Sequence, residues 1–313
     1  MAEQFYYSSV LAPYMNHLLE VKISAGISAL RTKWILKEID GFANEENLND
    51  PHITEPFFNK WRATRIADCD RTLYAKYSVW SQLTKLMCRC GCACFIPRIP
   101  KQPKPDFTPY IFTKEQIAAI LSAADDCRLY DIRMGTSLIV MPALLRLLYS
   151  TGMRISEALS IRNKHVHLDE GYILLDKTKN GSERIVPICE SMKEVLETYM
   201  RYRDRMPING ISADNSLLFV KSDGTSIRTN CVYQHLRKLF DKCGIPFKGD
   251  HHGPRVHDLR HTNAVHALVQ MGHNGMDLYT ALPILSTSLG HHSLSATEQY
   301  VRLTCAMYPE MEE

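Results

Sequence analysis

The sequence predicts a mainly α protein with one small β-sheet, divided into an all-helical N-terminal domain and a mixed α+β second domain. Three observations carry this reading. Apolar residues recur at helical spacing from Val10 to Cys94. A short stretch holding four prolines and three basic residues follows, from Phe95 to Pro105. Beyond it, helix-like segments flank two strand-like runs separated by Asn180-Gly181. The expected boundaries are a helical domain over 1–95, a Pro-rich basic linker over 96–112 and a second domain over 113–313.

In the first domain, Leu18, Leu19 and Val21 mark one helical face, Leu30, Trp34, Ile35 and Ile39 the next, and Leu73, Tyr77, Trp80, Leu83 and Met87 a later one. Proline at the density of Pro97, Pro100, Pro103 and Pro105 stops a helix and stiffens an extended connection. The second domain restarts at Thr113, where Thr113-Lys114-Glu115-Gln116 has the capping-box pattern ahead of Ile117, Ile120 and Leu121. A helix over Leu144 to Tyr149 is expected to end at Gly152, with a short one resuming at Ser156. Gly171 to Leu175 and Arg184 to Ile188 read as paired strands, because Asn-Gly accepts the positive backbone angles of a tight hairpin. Ser191 is expected to cap another helix, and Leu217 to Val220 to form a further short strand.

The chain of 313 residues is 45% hydrophobic, enough to bury a normal core. Its longest apolar stretch, Ser137 to Tyr149, is broken by Pro142 and Arg146 and is too short to span a bilayer. No secretion signal is read at the start, so a cytoplasmic, bacterial, DNA-associated protein without a membrane partner is expected. A net charge of +3 permits nucleic-acid binding without demonstrating it. Cys88, Cys90, Cys92 and Cys94 alternate without the two-residue gap of a zinc knuckle, so they read as packing residues and no metal is expected.

Several positions in the second domain could together attack a phosphodiester, which without a metal needs a nucleophile, cations around the phosphate and an acid for the leaving oxygen. Arg154 lies at the bend after Gly152, where a planar guanidinium can face a phosphate. His257 and Arg260 are three apart, on one face of a helix. His261 projects about 100° from Arg260 and reads as packing or capping. His291 and His292 are adjacent, and composition does not choose between them. Tyr300 follows nine residues after His291 (300 − 291), and Lys179 and Lys177 lie near the hairpin tip.

The ordered segments Thr151-Gly152-Met153-Arg154-Ile155-Ser156-Glu157-Ala158-Leu159, Lys179-Asn180-Gly181 with Arg184-Ile185-Val186-Pro187-Ile188, His257-Asp258-Leu259-Arg260-His261-Thr262, Leu289-Gly290-His291 and Tyr300 resemble the boxes of the tyrosine recombinase (phage integrase) family. The resemblance covers about two-thirds of the chain, and the preceding helical domain is similar to the family's SAM-like core-binding domain. It implies Tyr300 as the nucleophile forming a 3′-phosphotyrosyl link, Arg154 and Arg260 as clamps on the phosphate, and His257 as an aid to proton transfer from the tyrosine. It places His291 rather than His292 on the phosphate, Lys179 rather than Lys177 as acid for the 5′ oxygen, and Glu157 as support for the histidine and arginine side chains. The interval of 34 residues from His257 to His291 (291 − 257) is longer than in many members. The segment after Tyr300 is expected to dock on a neighbouring subunit through Val301, Leu303 and Met307.

The resemblance implies a site-specific recombinase acting without ATP, metal or other cofactor on double-stranded DNA, as a homo-tetramer on paired sites. It allows for an accessory DNA-bending or directionality factor. Integration or excision of a mobile element is the leading expectation. A chromosome or plasmid dimer resolvase is the alternative, followed by a type IB topoisomerase-like enzyme and an inactive DNA-binding regulator. In the helical domain, Arg62, Arg65, Arg71, Lys76 and Lys85 are the first candidates for phosphate contact.

Overall fold

Four amphipathic helices account for the regular structure described in the N-terminal unit: α1 (Ala12–Ser24), α2 (Leu30–Glu45), α3 (Glu55–Ala63) and α4 (Asp70–Arg89). The structure, a computed structural model, describes residues 5–27, 29–103, 108–127, 136–176, 183–247, 253–291 and 293–309. Leu36, Ile39 and Ala43 recur every three to four residues along α2 and are fully buried, facing Trp80 and Leu83 of α4 in one core. Trp61 and Trp80 are completely enclosed, their rings 5.3 Å apart at 67°. The sequence reading missed α3, whose Thr54 side chain accepts a hydrogen bond from the Phe57 N–H at 3.3 Å. Val21, Leu30 and Trp34, expected on the apolar faces, are at least half exposed; on α2, Trp34 lies about 100° and Leu30 about 140° around the helix from the buried Ile35.

The chain divides between residues 106 and 107, and Ile111 and Phe112, inside the expected linker, already belong to the second unit's core. That unit contains α5 (Lys114–Asp125), α6 (Met141–Thr151), α7 (Ile155–Ala158), β1 (Val166–His167), β2 (Tyr172–Leu175), β3 (Arg184–Pro187) and α8 (Glu190–Arg203). Further on come α9 (Thr229–Lys242), α10 (Val256–His273), α11 (Leu278–Leu289) and α12 (Ser295–Met307). The capping box at Thr113 forms as read, with Thr113 and Gln116 exchanging hydrogen bonds. The helix expected to be capped by Ser191 starts earlier, with Cys189 at its N-cap. Leu217 and Val220 make only isolated bridges, to Arg162 and Ser226.

The sheet is an antiparallel meander, β1-β2-β3, with Ile173 opposite Val186. Ile173, Leu175 and Val186 are buried on one face, while Ile185 on the other is largely exposed, the alternation a one-sided sheet requires. The Asn180-Gly181 turn and Lys179 lie outside the described residues. α6 and α10 pack on each other, and α11 and α12 close over α10 to form a second cluster that takes in Tyr300. This arrangement brings the ends of α6 and α11 against one face of α10. Among the described residues, no helix is long and apolar enough to cross a membrane.

Candidate active site

The bend that carries Arg154 is made by glycine. α6 ends at Gly152 in the left-handed conformation (φ 62°), where a Cβ would collide with Asn263 Oδ1 and Leu289. Arg154 then sits extended at the N-cap of α7, and Glu157, one turn on, reaches back to it. The Arg154 backbone N–H donates to Glu157 Oε2 at 2.9 Å, and its Nη1 to Oε1 at 2.7 Å. A second guanidinium shares this carboxylate: Arg184 of β3 donates from Nη2 to Oε2 at 3.0 Å and from Nη1 to Oε1 at 3.3 Å. Burial pushes the Glu157 carboxyl up, but the Arg184 and Arg154 hydrogen bonds outweigh it and hold it below the usual range.

Arg260 is 2% exposed, yet its fork is satisfied. Nη1 donates to the Gly152 carbonyl and Nη2 to the Leu289 carbonyl, both at 2.8 Å, so the cation bridges the C-terminal ends of α6 and α11. Burial first, and the Arg154 charge second, pull its pKa down to about 10.

Three histidines surround this cation. His257 is pulled down to about 4 by burial and by Arg260 and Arg154. His261 is drawn down to about 3 by burial and by its neighbour His257, whose ring centroid is 4.9 Å away. His291, just beyond the α11 cap at Gly290, is held by Thr297 Oγ1 at 2.7 Å from its Nδ1 and falls to about 4 through burial and Arg260. At neutral pH all three rings are uncharged and can each accept one hydrogen bond and donate another.

Tyr300 stands at the centre of this group and is 1% exposed. Its hydroxyl lies 2.8 Å from His261 Nδ1, and its ring stacks against His291 at 6.3 Å with an interplanar angle of 12°. Burial raises its pKa, and the Arg260 and Arg154 charges oppose that rise. Arg154, Arg184 and Arg260 thus gather around one carboxylate, Glu157, leaving an excess of positive charge suited to an anion such as a phosphodiester.

The structure brings together Arg154, Glu157, His257, Arg260, His291 and Tyr300. Lys179 lies outside the described residues. Three participants were missed by sequence reasoning, and each had a signal. His261, expected to serve packing or capping, is four residues after His257, shares that face of α10 and meets the Tyr300 hydroxyl. Thr297 is one turn before Tyr300. Arg184 is two residues from the inward Val186, which puts it on the buried side of β3.

The phage integrase family model matches residues 111–306. The chain belongs to the phage integrase family. An integrase/recombinase of Sinorhizobium fredii is 31% identical over 66% of this chain and 64% of its own length. Tyrosine recombinase XerD of Oceanobacillus iheyensis is 33% identical over 61% of this chain and 60% of its own. The chain therefore spans less than two-thirds of the length of these relatives. A lambda integrase dimer bound to a COC′ core site shares the fold with a TM-score of 0.63 at 16% identity, over 94% of this chain and 77% of that one.

Outside the region matched to the phage integrase family, the N-terminal unit distributes its basic residues unevenly. Lys76 is buried, its ammonium held by Glu38 at 2.6 Å and Asp68 at 2.7 Å, so it forms an internal ion pair rather than a surface contact. Arg65 pairs with Glu38 at 3.5 Å and lies over the Trp61 ring. Arg62 is half-buried, while Arg71 and Lys85 are exposed. The alternating cysteines have separate partners: Cys92 Sγ contacts Tyr14 Oη, Cys94 Sγ the Pro51 carbonyl and Cys88 Sγ the Cys94 carbonyl. In the segment after Tyr300, Val301 and Leu303 pack in the cluster of α10 to α12 within the same chain, while Met307 is 38% exposed.

Proposed function

We propose that this member of the phage integrase family is a site-specific DNA recombinase in which Tyr300 attacks the scissile phosphate. The Tyr300 Oη–P bond forms as the P–O5′ bond breaks, leaving a 3′-phosphotyrosyl link and a free 5′-hydroxyl. Arg154 and Arg260 clamp the non-bridging oxygens and stabilise the charge that develops on them. His291, steadied at Nδ1 by Thr297, offers its other ring nitrogen to the phosphate. His257 assists loss of the tyrosine proton, Lys179 protonates the departing 5′ oxygen, and Glu157 orients Arg154. Because the phosphotyrosyl bond retains the energy of the bond it replaces, the reaction needs no ATP. The observation that carries this reading is the burial of Tyr300 among Arg260, His261 and His291, beside the Arg154–Glu157 pair.

The whole enzyme would act on paired recombination sites in double-stranded DNA as a homo-tetramer, with Arg62, Arg71 and Lys85 as phosphate contacts of the N-terminal unit. Integration or excision of a mobile element is the leading role, supported by the S. fredii integrase/recombinase. Dimer resolution is the second reading, kept open because the O. iheyensis relative is named a tyrosine recombinase and not an integrase. Nicked duplexes made from the DNA bordering the gene test the chemistry. Wild type is expected to form a covalent protein–DNA adduct that Tyr300→Phe does not. An adduct that survives this substitution sinks the assignment, and whether the bordering DNA carries element ends or a chromosomal site separates the two roles.

A further inference from the structure

Arg184 does something that neither packing nor charge balance alone explains. Its fork is bidentate on Glu157, the carboxylate that also receives the backbone N–H and Nη1 of Arg154. Each Glu157 oxygen is therefore shared between two arginines. With Arg184 removed, the full negative charge of a buried carboxylate would fall on Arg154 and draw that guanidinium toward Glu157. The same side chain also lies flat on Gly290: a Cβ there would stand 2.6 Å from Arg184 Nη1 and 3.1 Å from its Cδ and Cζ. Gly290, at φ 66°, joins Leu289, whose carbonyl anchors Arg260, to His291. Arg184 Nε is buried without a hydrogen-bond partner among the described residues, so the side chain is held by its fork and by this contact.

We propose that Arg184 is a positioning residue for strand cleavage: by sharing Glu157 it keeps the Arg154 guanidinium available to the scissile phosphate, and by covering Gly290 it fixes the turn that presents His291. This rests on the recombinase reading and adds to it a residue that acts through Glu157 and Gly290. The effect is directional. Misplacing a clamp by about 1 Å costs on the order of 10²-fold in rate, and the loss should shrink where less of the clamp is needed. A methylphosphonate at the scissile position supplies that condition, since a methyl group replaces one charged non-bridging oxygen and the substrate needs one cation fewer.

The test measures adduct formation by wild type, Arg184→Gln, Arg184→Lys and Arg154→Ala on a nicked duplex of the bordering DNA, with either a phosphate or a methylphosphonate at the scissile position. Arg184→Gln is expected to be slower than wild type by about 10²-fold on phosphate, and by clearly less on methylphosphonate, following Arg154→Ala. Arg184→Lys, which keeps the charge but loses the fork, should fall between. Both substrates meet the same protein, so the ratio of the two rates is unaffected by any loss of folded enzyme. An equal deficit on both substrates would make Arg184 merely structural and overturn the proposal, as would wild-type cleavage by Arg184→Gln. If wild type forms no adduct on either duplex, the recombinase reading itself fails and the proposal falls with it.

Discussion

His257, His261 and His291 share one property: each is held far below the ordinary histidine pKa, at about 4, 3 and 4, first by burial and then by neighbouring arginines or histidine. The unfolded chain binds these protons below pH 6.5, whereas the native state refuses them until much lower pH. Stability is therefore full above pH 6.5 and lost as pH falls toward 4. Asp258 works against this, because burial raises it to about 6 and the native state keeps its proton between 3.8 and 6. The three histidines outnumber this one aspartate, and His165, His235 and His266, also lowered first by burial, act in the same direction, so the unfolded state binds more protons over that window. The melting temperature should fall on acidification from pH 6.5 to 4, and His261→Asn should flatten the fall; an unchanged slope in that variant would show that His261 is not held neutral. At this scale Tyr300 itself was not legible, since its sequence neighbours are ordinary. It was singled out by the family resemblance, which sets it after Arg154, Lys179, His257, Arg260 and His291; of these, the pairing of His257 with Arg260 on one helix face was read from spacing alone. Arg184 and Thr297 carried local signals, strand parity with Val186 and one helical turn from Tyr300, but the side chains they meet across elements, Glu157 and His291, are set by the fold.

Elements carry these side chains, and the turns between them fix where they point. Gly152 shows the mechanism: its left-handed φ ends α6, and its carbonyl then accepts Arg260 Nη1. An alanine there would incur about 1–3 kcal/mol of backbone strain and also press on Asn263 and Leu289. Gly244 has the same backbone sign (φ 65°) with nothing within 4 Å of an added Cβ, so Gly244→Ala isolates the strain term. In paired thermal melts Gly152→Ala should lose several degrees more than Gly244→Ala, since each kcal/mol shifts the midpoint by about 2–4 °C in a domain this size. Equal losses would mean that the Asn263 and Leu289 contacts relax freely. Helix ends of this kind were readable, as Thr113 and Gly152 attest, because capping chemistry is local. β1, two residues long, was not readable because it depends on pairing with β2; α3 was missed although Thr54 and Pro56 mark its start and Phe57, Phe58 and Trp61 its buried face.

The molecule as a whole consists of two units with separate cores, one centred on Trp61 and Trp80, the other on α6 and α10. Its three tryptophans, Trp34, Trp61 and Trp80, all fall in the first unit. Tryptophan fluorescence therefore reports unfolding of the N-terminal unit alone, while far-ultraviolet circular dichroism sums the helices of both. Leu144 is fully buried in the second unit, and Leu144→Ala should cost that core about 2–5 kcal/mol. With independent cores, the dichroism transition gains an early component in Leu144→Ala while the fluorescence midpoint stays where it was. Leu83→Ala, equally buried in the first unit, should do the reverse and bring the fluorescence midpoint forward. A fluorescence midpoint that moves with Leu144→Ala would show that the units unfold as one cooperative body, and the Tyr300 site would then share its stability with the helices that precede it.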